Sequence, residues 1–398
     1  MLGSKTAAQQ FKGRFGGFET LCWVLLPAVL LVAACSVTGI ENNVGNDADA
    51  SFDSQYDVFY APSPAPPLAA PTVCATTSRS VDFQQWASAT LGALPPENSN
   101  AYLAPTLYER QQFKAAAMAL LVGDCTAARR LAGQSGFEIV ELRDGPDRYY
   151  YLEPRRKAHS APGFFVVRAH HQWQRQVVLE APHPLFDQGT GIISARAFEH
   201  LGAGALALAG SHRCANIDFG SADGTTRVCN EGTHHPYRES DMAHAAESYF
   251  QAFHEAFHDA IPGGVAIQLH AFAQSDDDPM FITSDGTRHD SEDDGHLALL
   301  FKQELTYALE SRWLEVYGTS CNEAGDPDSL CATTNVQGRY SNGVDSDEVG
   351  VRQSNRPSGR FLHIELGREP RMSNGFIDGT PVLQALEATI PELPTIGL

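Results

Sequence analysis

The chain has 398 residues, of which 43% are hydrophobic and 19% are charged, a composition typical of globular proteins rather than fibrous or disordered ones. Asp and Glu together number 48 against 28 for Lys and Arg, which gives a net charge of -20 at pH 7. Proteins that neutralise many phosphates need the opposite balance, so the composition argues against a nucleic acid partner.

The first 34 residues are typical of an export signal. Three basic residues precede an apolar stretch at 21–34 that is short for a transmembrane helix. The run from Leu31 to Cys35 resembles the lipobox of bacterial lipoproteins, in which the signal is cut before a cysteine that carries a lipid. This resemblance implies a lipid on Cys35, and Ser36 implies an outer-membrane location facing the periplasm. An uncleaved signal anchor and an ordinary secretory signal are the alternatives.

A tether is expected between this lipid anchor and the folded part of the protein. Residues 35–73 are rich in Asn, Asp, Ser, Ala and Pro and contain few large apolar side chains, which predicts a flexible segment. Cleavage before Cys35 removes three basic residues and Glu19, which leaves 25 basic and 47 acidic residues and a net charge of -22. The mature protein is therefore expected to be soluble, acidic and attached to the membrane through its lipid alone.

Six cysteines remain when Cys22 in the apolar segment and Cys35 in the lipobox are set aside. An even number of cysteines in an exported protein predicts disulfides, because the compartment is oxidising. Several connectivities are possible, and we predict that neighbours along the chain pair: Cys74 with Cys125, Cys214 with Cys229, and Cys321 with Cys331. A zinc site built from cysteines is the alternative, but none of the spacings is the short C-x2-C type.

Helical periodicity at 74–145 predicts a small helical region that caps the main domain. Short apolar runs then alternate with helical patterns from residue 149 onward. The predicted strands lie at 149–152, 163–167, 176–179, 265–269 and 361–366, and the predicted helices at 195–208, 242–261 and 297–317. Such alternation predicts an α/β domain over 146–398, with three αβα layers around a mostly parallel or mixed sheet.

Polar side chains lie at the carboxyl ends of three predicted strands. His183 and Asp187 follow the third predicted strand, His270 follows the fourth, and Glu365 lies within the last. Because ligands in α/β sheets bind beyond the carboxyl ends of the strands, we expect these side chains to meet. Two histidines and a carboxylate can hold a zinc ion and leave one position for water, while a nearby glutamate can remove the proton of that water.

These residues resemble the zinc-dependent amidohydrolases related to metallocarboxypeptidases, in particular N-formylglutamate amidohydrolases and phage-type poly-γ-glutamate hydrolases. That group has a histidine and an acid after one strand, a histidine after an apolar strand, and a glutamate on a late strand. The resemblance implies that His183, Asp187 and His270 bind one zinc ion. It further implies that Glu365 is the catalytic base and that Arg213 binds a carboxylate of a peptide or amide substrate.

The resemblance follows motif order over residues 150–390 and shows two departures. The acid stands four residues after His183, where carboxypeptidases have it at three, and Pro184 replaces a small glycine. Glu180 therefore remains the alternative to Asp187 as the third ligand. The expected activity is hydrolysis of a peptide, cell-wall peptide or γ-glutamyl-like amide bond in the bacterial cell envelope.

A second metal motif lies at His254-Glu255-Ala256-Phe257-His258, which has the pattern H-E-x-x-H. On a helix this pattern places two histidines on one face, with the glutamate as the general base of a zincin metalloprotease. We expect these histidines on the solvated side of their helix, unlike those of a zincin. A zincin metalloprotease and a non-enzymatic envelope lipoprotein that binds a ligand are the two alternative functions. No G-x-S-x-G follows a predicted strand, so a serine nucleophile lacks support.

Overall fold

The computed structural model describes residues 74–155, 161–291, 296–312, 315–325 and 329–392, and the backbone of three strands nearer the N terminus. These strands are β1 (Gln9–Phe15), β2 (Phe18–Leu25) and β3 (Val32–Val37), which pair antiparallel within a separate unit, Met1–Leu68. Cys35 lies in β3, and most of the predicted tether lies outside the described residues. The signal, the lipid anchor and the tether stay predictions.

The second unit, Ala69–Leu398, is built in its described part on one ten-stranded sheet. In chain order its strands are β4 (Thr77–Ser80), β5 (Phe137–Asp144), β6 (Asp147–Pro154), β7 (Phe164–Arg168), β8 (Arg175–Ala181), β9 (Ala203–Leu208), β10 (Val265–Ala271), β11 (Phe281–Ser284), β12 (Gly318–Ser320) and β13 (Phe361–Leu366). Their order across the sheet is β12-β11-β13-β10-β8-β9-β7-β6-β5-β4. The central strands β13, β10, β8 and β9 are parallel, and the strands on either side of them include antiparallel pairs. The sheet is therefore mixed with a parallel centre.

Helices cover both faces of this sheet. They are α1 (Phe83–Gly92), α2 (Leu107–Leu121), α3 (Cys125–Gln134), α4 (Thr190–His200), α5 (Tyr249–Ala260), α6 (Leu297–Glu310), α7 (Val336–Ser341), α8 (Arg368–Arg371) and α9 (Thr380–Thr389), with a small hairpin of β14 (Met372–Ser373) and β15 (Phe376–Ile377). One apolar layer contains Phe83, Phe198 and Leu305 from α1, α4 and α6. The other contains Phe113 and Phe253 from α2 and α5. These two layers confirm the predicted α/β class with three layers.

The region at 74–145 needs one correction to its predicted organisation. It holds α1, α2 and α3, but β4 and β5 lie in the same stretch and join the large sheet. The expected end of the region at residue 145 falls in the turn between β5 and β6, which pair antiparallel along their whole length. The three helices are therefore part of the α/β unit rather than a separate cap.

The helix expected over 195–208 is wrong in its second half. The structure has α4 and then β9, because Gly202 adopts a positive φ of 57° directly after the helix ends. All six residues of β9 are buried, since the strand lies between β8 and β7 with helices on both faces. A fully buried strand has no polar alternation, so its alanines and leucines have the composition of a helix.

The three predicted disulfides are confirmed in the described part of the chain: Cys74–Cys125, Cys214–Cys229 and Cys321–Cys331. Their Cα atoms are 4.4, 5.3 and 5.6 Å apart, within the range for such bonds. Disulfides of this kind fit a protein outside the cytoplasm. A search of the described helices finds none that is both long and apolar enough to cross a membrane.

Candidate metal centre

The site lies where the parallel strands β8, β10 and β13 end. His183 and Asp187 lie in the loop between β8 and α4, and His270 lies near the end of β10. Glu365 in β13 is the register partner of His270, which places the two side chains next to each other at one edge of the sheet. All four are buried, with at most 6% of their surface exposed. Burial of this many ionisable groups is costly unless they bind one another or a cation.

His183, Asp187 and His270 form a compact group whose candidate ligand atoms all lie within 4.8 Å of one another. Asp187 Oδ2 is 3.3 Å from Nδ1 of His183 and 3.3 Å from Nδ1 of His270. The three predicted ligands therefore come together in a group that can hold a metal ion. Glu180, the alternative ligand, lies outside this group and contacts His254 instead.

The outer hydrogen bonds of both histidines leave their Nδ1 atoms as acceptors. His183 Nε2 lies 2.7 Å from Asp241 Oδ1, and His270 Nε2 lies 2.8 Å from Gln268 Oε1. Carboxylate and amide oxygens only accept, so each Nε2 carries a hydrogen, and each ring in its neutral form presents a lone pair at Nδ1. When both rings are neutral, these two nitrogens and the carboxylate of Asp187 are three acceptors that face one another, an arrangement that a cation stabilises.

The protonation equilibria of these groups agree with a site that attracts positive charge. Burial and the nearby Arg213 oppose protonation of His183, but the carboxylates of Asp241 and Asp187 outweigh both and raise its pKa. Burial lowers the pKa of His270 to about 3, so this ring is neutral and ready to act as a ligand. Burial alone would raise the pKa of Asp187, but the two histidines lower it below its usual range.

Asp241 connects the histidines to an arginine. Its Oδ1 also lies 3.1 Å from Nδ1 of His244, and its Oδ2 accepts hydrogen bonds from Nε and Nη2 of Arg213. Burial disfavours the charge of Asp241, but Arg213, His183 and His244 outweigh burial and hold its pKa well below the usual value. No sequence motif marks Asp241, because it lies 58 residues from His183 and outside any predicted strand.

Arg213 lines the cavity beside the site, and its side chain is 11% exposed. Two of its donor atoms bind one oxygen of Asp241, so part of its hydrogen-bonding capacity is used within the protein. This pairing fixes the guanidinium beside the metal-binding group. Its role in binding a substrate carboxylate stays a prediction.

Glu365 shares the site with a histidine for which the sequence predicted no role. Nε2 of His363 is 3.4 Å from Oε1 of Glu365, and its ring centroid is 4.6 Å from that of His270. Burial raises the pKa of Glu365, although His363 favours its ionised form. A carboxylate with a raised pKa suits a general base at neutral pH, because it holds a proton more readily. The alternation of β13 places His363 and Glu365 on one face, which is the sequence signal for this pair.

A cavity of about 400 Å³ opens onto these groups. The loop closed by Cys214–Cys229 contributes Thr225 and Thr226 to its wall, and the chain after Cys331 contributes Thr333 and Thr334. The lining combines hydroxyl groups, histidines and charged side chains with apolar side chains such as Val228 and Leu330, so the cavity can contact both polar and apolar parts of a small ligand.

The histidines of the H-E-x-x-H motif are buried rather than solvated, so that expectation is wrong. His254 and His258 are 0% and 4% exposed, because the polar face of α5 packs against β8 and α7 instead of facing water. Nε2 of His254 is 3.0 Å from Oγ of Ser341, and Nε2 of His258 is 2.8 Å from the same oxygen. The Nε2 atoms of the two motif histidines thus both contact one serine hydroxyl.

Fold and site together define an α/β protein with a buried His-Asp-His group beyond the carboxyl ends of its parallel strands. No protein-family model matches the chain, and a search of curated proteins found no significant match. The residues of the site and their geometry are therefore the basis for proposing a function.

Proposed function

We propose that the protein is a zinc-dependent hydrolase of an amide bond, in a peptide, a cell-wall peptide or a γ-glutamyl-like compound. The observation that carries this proposal is the convergence of candidate ligand atoms from His183, Asp187 and His270 beside a cavity that Glu365 also lines. Two histidines and one carboxylate are a ligand set that suits zinc. Three protein ligands leave a position for water, as in catalytic rather than structural zinc sites.

A zinc ion held by this group would polarise the scissile carbonyl and lower the pKa of a water molecule in the open position. Glu365 would accept a proton from that water and then donate it to the leaving amine. Arg213, held in place by Asp241, would bind a carboxylate near the scissile bond. The substrate is accordingly expected to carry a carboxylate close to the amide that is cleaved.

The proposed place of action is the cell envelope, with the protein attached to the outer membrane through a lipid on Cys35 and facing the periplasm. The disulfides support this location, because they form and persist in an oxidising compartment. The strongly negative charge of the chain disfavours a long polyanion as substrate, so a short peptide or amide is expected.

Metal content of the full chain tests this proposal. Elemental analysis should find about one zinc per wild-type chain, as expected for a single three-ligand site. At saturating zinc, His183→Ala with His270→Ala should lose it, whereas His254→Ala with His258→Ala should keep it, because the three ligands are intact. Circular dichroism must show that both variants are folded.

Two results would overturn this assignment. If zinc is lost only from the variant without His254 and His258, the zincin metalloprotease replaces the amidohydrolase. If the wild type binds no metal under any loading condition, a non-enzymatic lipoprotein that binds its ligand in the same cavity becomes the favoured function.

A further inference from the structure

A continuous chain of buried hydrogen bonds leads from His270 to helix α5. Oε1 of Gln268 is 2.8 Å from Nε2 of His270, and Nε2 of Gln268 is 3.0 Å from Oε2 of Glu180. The other oxygen of Glu180 is 2.9 Å from Nδ1 of His254. Gln268, Glu180 and His254 are all 0% exposed, so water does not compete for these bonds.

The carboxylate of Glu180 sets the direction of the bonds on the metal side of this chain. A carboxylate only accepts, so Gln268 must turn its NH2 group towards Glu180 and its oxygen towards His270. The amide oxygen also only accepts, so His270 must carry its hydrogen on Nε2. Asn335 reinforces this orientation by donating to the same oxygen of Gln268. Nδ1 of His270 is thereby left with its lone pair, facing Asp187.

Glu180 also sets the direction of the hydrogen bonds on the α5 side of this chain of bonds. His254 donates from Nδ1 to Glu180, so its Nε2 accepts a hydrogen bond from the hydroxyl of Ser341. The oxygen of Ser341 can then accept from Nε2 of His258. His258 is left with a buried Nδ1 that has no hydrogen-bond partner in the described structure, which is the acceptor end of the chain. The hydrogen bonds of His254, and through Ser341 those of His258, are therefore directed by Glu180.

We infer that Gln268 and Glu180 are positioning residues that fix the tautomer and orientation of His270 for metal binding, and that His254 holds Glu180 in place. This inference rests on the proposed metal centre and deepens it. It assigns the H-E-x-x-H helix a supporting role in the binding of a metal by other residues. Partners of this kind typically change metal affinity by about 10- to 100-fold when they are replaced.

Gln268→Met tests the first link, because methionine has a similar length but no amide oxygen to accept from His270. The dissociation constant for zinc, measured on the full chain by competition with a chelator, should rise by about 10- to 100-fold. Metal stoichiometry at saturating zinc should stay at the wild-type value, because the three ligands are intact. An unchanged dissociation constant in a folded Gln268→Met chain would overturn the inference.

An exchange of the two side chains gives a readout that a merely structural role would not produce. Gln268→Glu alone places two carboxylates against each other and should weaken zinc binding. Glu180→Gln alone removes the carboxylate that orients Gln268 and should also weaken zinc binding. In the double variant, the new amide at position 180 can donate to the new carboxylate at position 268. That carboxylate can accept from His270, so the directions of the bonds are restored. The zinc affinity of the double variant should lie closer to the wild type than that of either single variant, although the 3.3 Å bond from Gln268 to Gln337 is lost.

His254 and His258 form a matched pair for the last link, since they lie one turn apart on α5 and both contact Ser341. Of these two histidines, only His254 contacts Glu180. His254→Leu should weaken zinc binding, whereas His258→Leu should leave it close to the wild-type value. A zincin would instead lose its zinc in both variants.

The outcomes separate this inference from the proposed function. If the wild type binds no zinc, the metal centre itself is refuted and the inference falls with it. If the wild type binds zinc and the variant without His183 and His270 does not, but Gln268→Met and the single exchange variants bind like the wild type, only the inference fails. Where Gln268→Met does not fold, the exchanged pair and the His254 variant decide the question.

Discussion

At the scale of single residues, the candidate metal site depends on which side-chain atoms donate hydrogen bonds and which accept them. The convergence of His183, Asp187, His270 and Glu365 was predictable, because polar residues at the ends of apolar strands stand out in the sequence. The place of Asp241 beside them was not predictable, since it lies in a loop distant in sequence and joins the site only through its contacts with His183, His244 and Arg213. The same holds for Glu180, which is linked to His270 only through Gln268.

The residue-scale prediction concerns Glu365. Glu365→Gln keeps the size of the side chain but removes the proton acceptor, so kcat should fall by about 10²- to 10⁴-fold while zinc content is unchanged. The assay uses whichever compound the wild type hydrolyses from a panel of N-acyl amino acids, γ-glutamyl amides and short peptides.

Glu369→Gln is the matched control for this prediction, because Glu369 lies four residues further on and does not line the cavity. It should leave kcat near the wild-type value. Full activity of Glu365→Gln would remove Glu365 from the proposed mechanism.

At the scale of elements, the strands that carry the site were easier to predict than those that extend the sheet. The last predicted strand agrees with β13 to the residue, because apolar residues alternate with polar ones over its second half and a glycine follows. In contrast, β9 consists of alanine, leucine and one glycine, and the residues of the strand do not themselves exclude a helix; Gly202 before it and the neighbouring strands β8 and β7 do. Local composition therefore identified β13, which carries polar residues within an apolar strand, and misassigned β9, which contains only small and aliphatic residues.

The element-scale prediction concerns the loop closed by Cys214–Cys229, which contributes Thr225 and Thr226 to the cavity wall. Replacing both cysteines by serine releases a loop with a sequence separation of 15 residues. The free energy of unfolding should fall by about 3 kcal/mol, since the open chain gains entropy. KM should rise more than kcat falls, because the mobile loop no longer holds the wall of the binding cavity.

Replacing Cys74 and Cys125 by serine is the control. This disulfide spans 51 residues, none of which lines the cavity. Its loss should lower stability by about 4 kcal/mol, more than the loss of Cys214–Cys229, but leave KM unchanged at a temperature where the protein is folded. An equal rise of KM in both variants would mean that general destabilisation, and not the loop, governs substrate binding.

At the scale of the whole molecule, the proposed zinc ligands join parts of the chain that are far apart in sequence. His183 follows β8 and His270 lies near the end of β10, and these two strands are parallel neighbours in the centre of the sheet. The α/β class of the domain was predictable from the alternation of strands and helices along the sequence. The order of the strands across the sheet was not, because strand order depends on tertiary packing rather than on local pattern.

A ligand that binds only the folded state stabilises it, and this gives the whole-molecule prediction. Free zinc at about 100 times its dissociation constant should add about 2.7 kcal/mol to the free energy of unfolding, so Tm should rise relative to the chain in a chelator. His183→Ala with His270→Ala should show no rise, because the unfolded and folded chains then bind zinc equally poorly. Magnesium should not reproduce the effect in the wild type, since it prefers oxygen ligands in octahedral geometry. A rise of Tm with zinc that persists in the double variant would place the binding site elsewhere on the molecule and remove the physical basis of the proposed hydrolase.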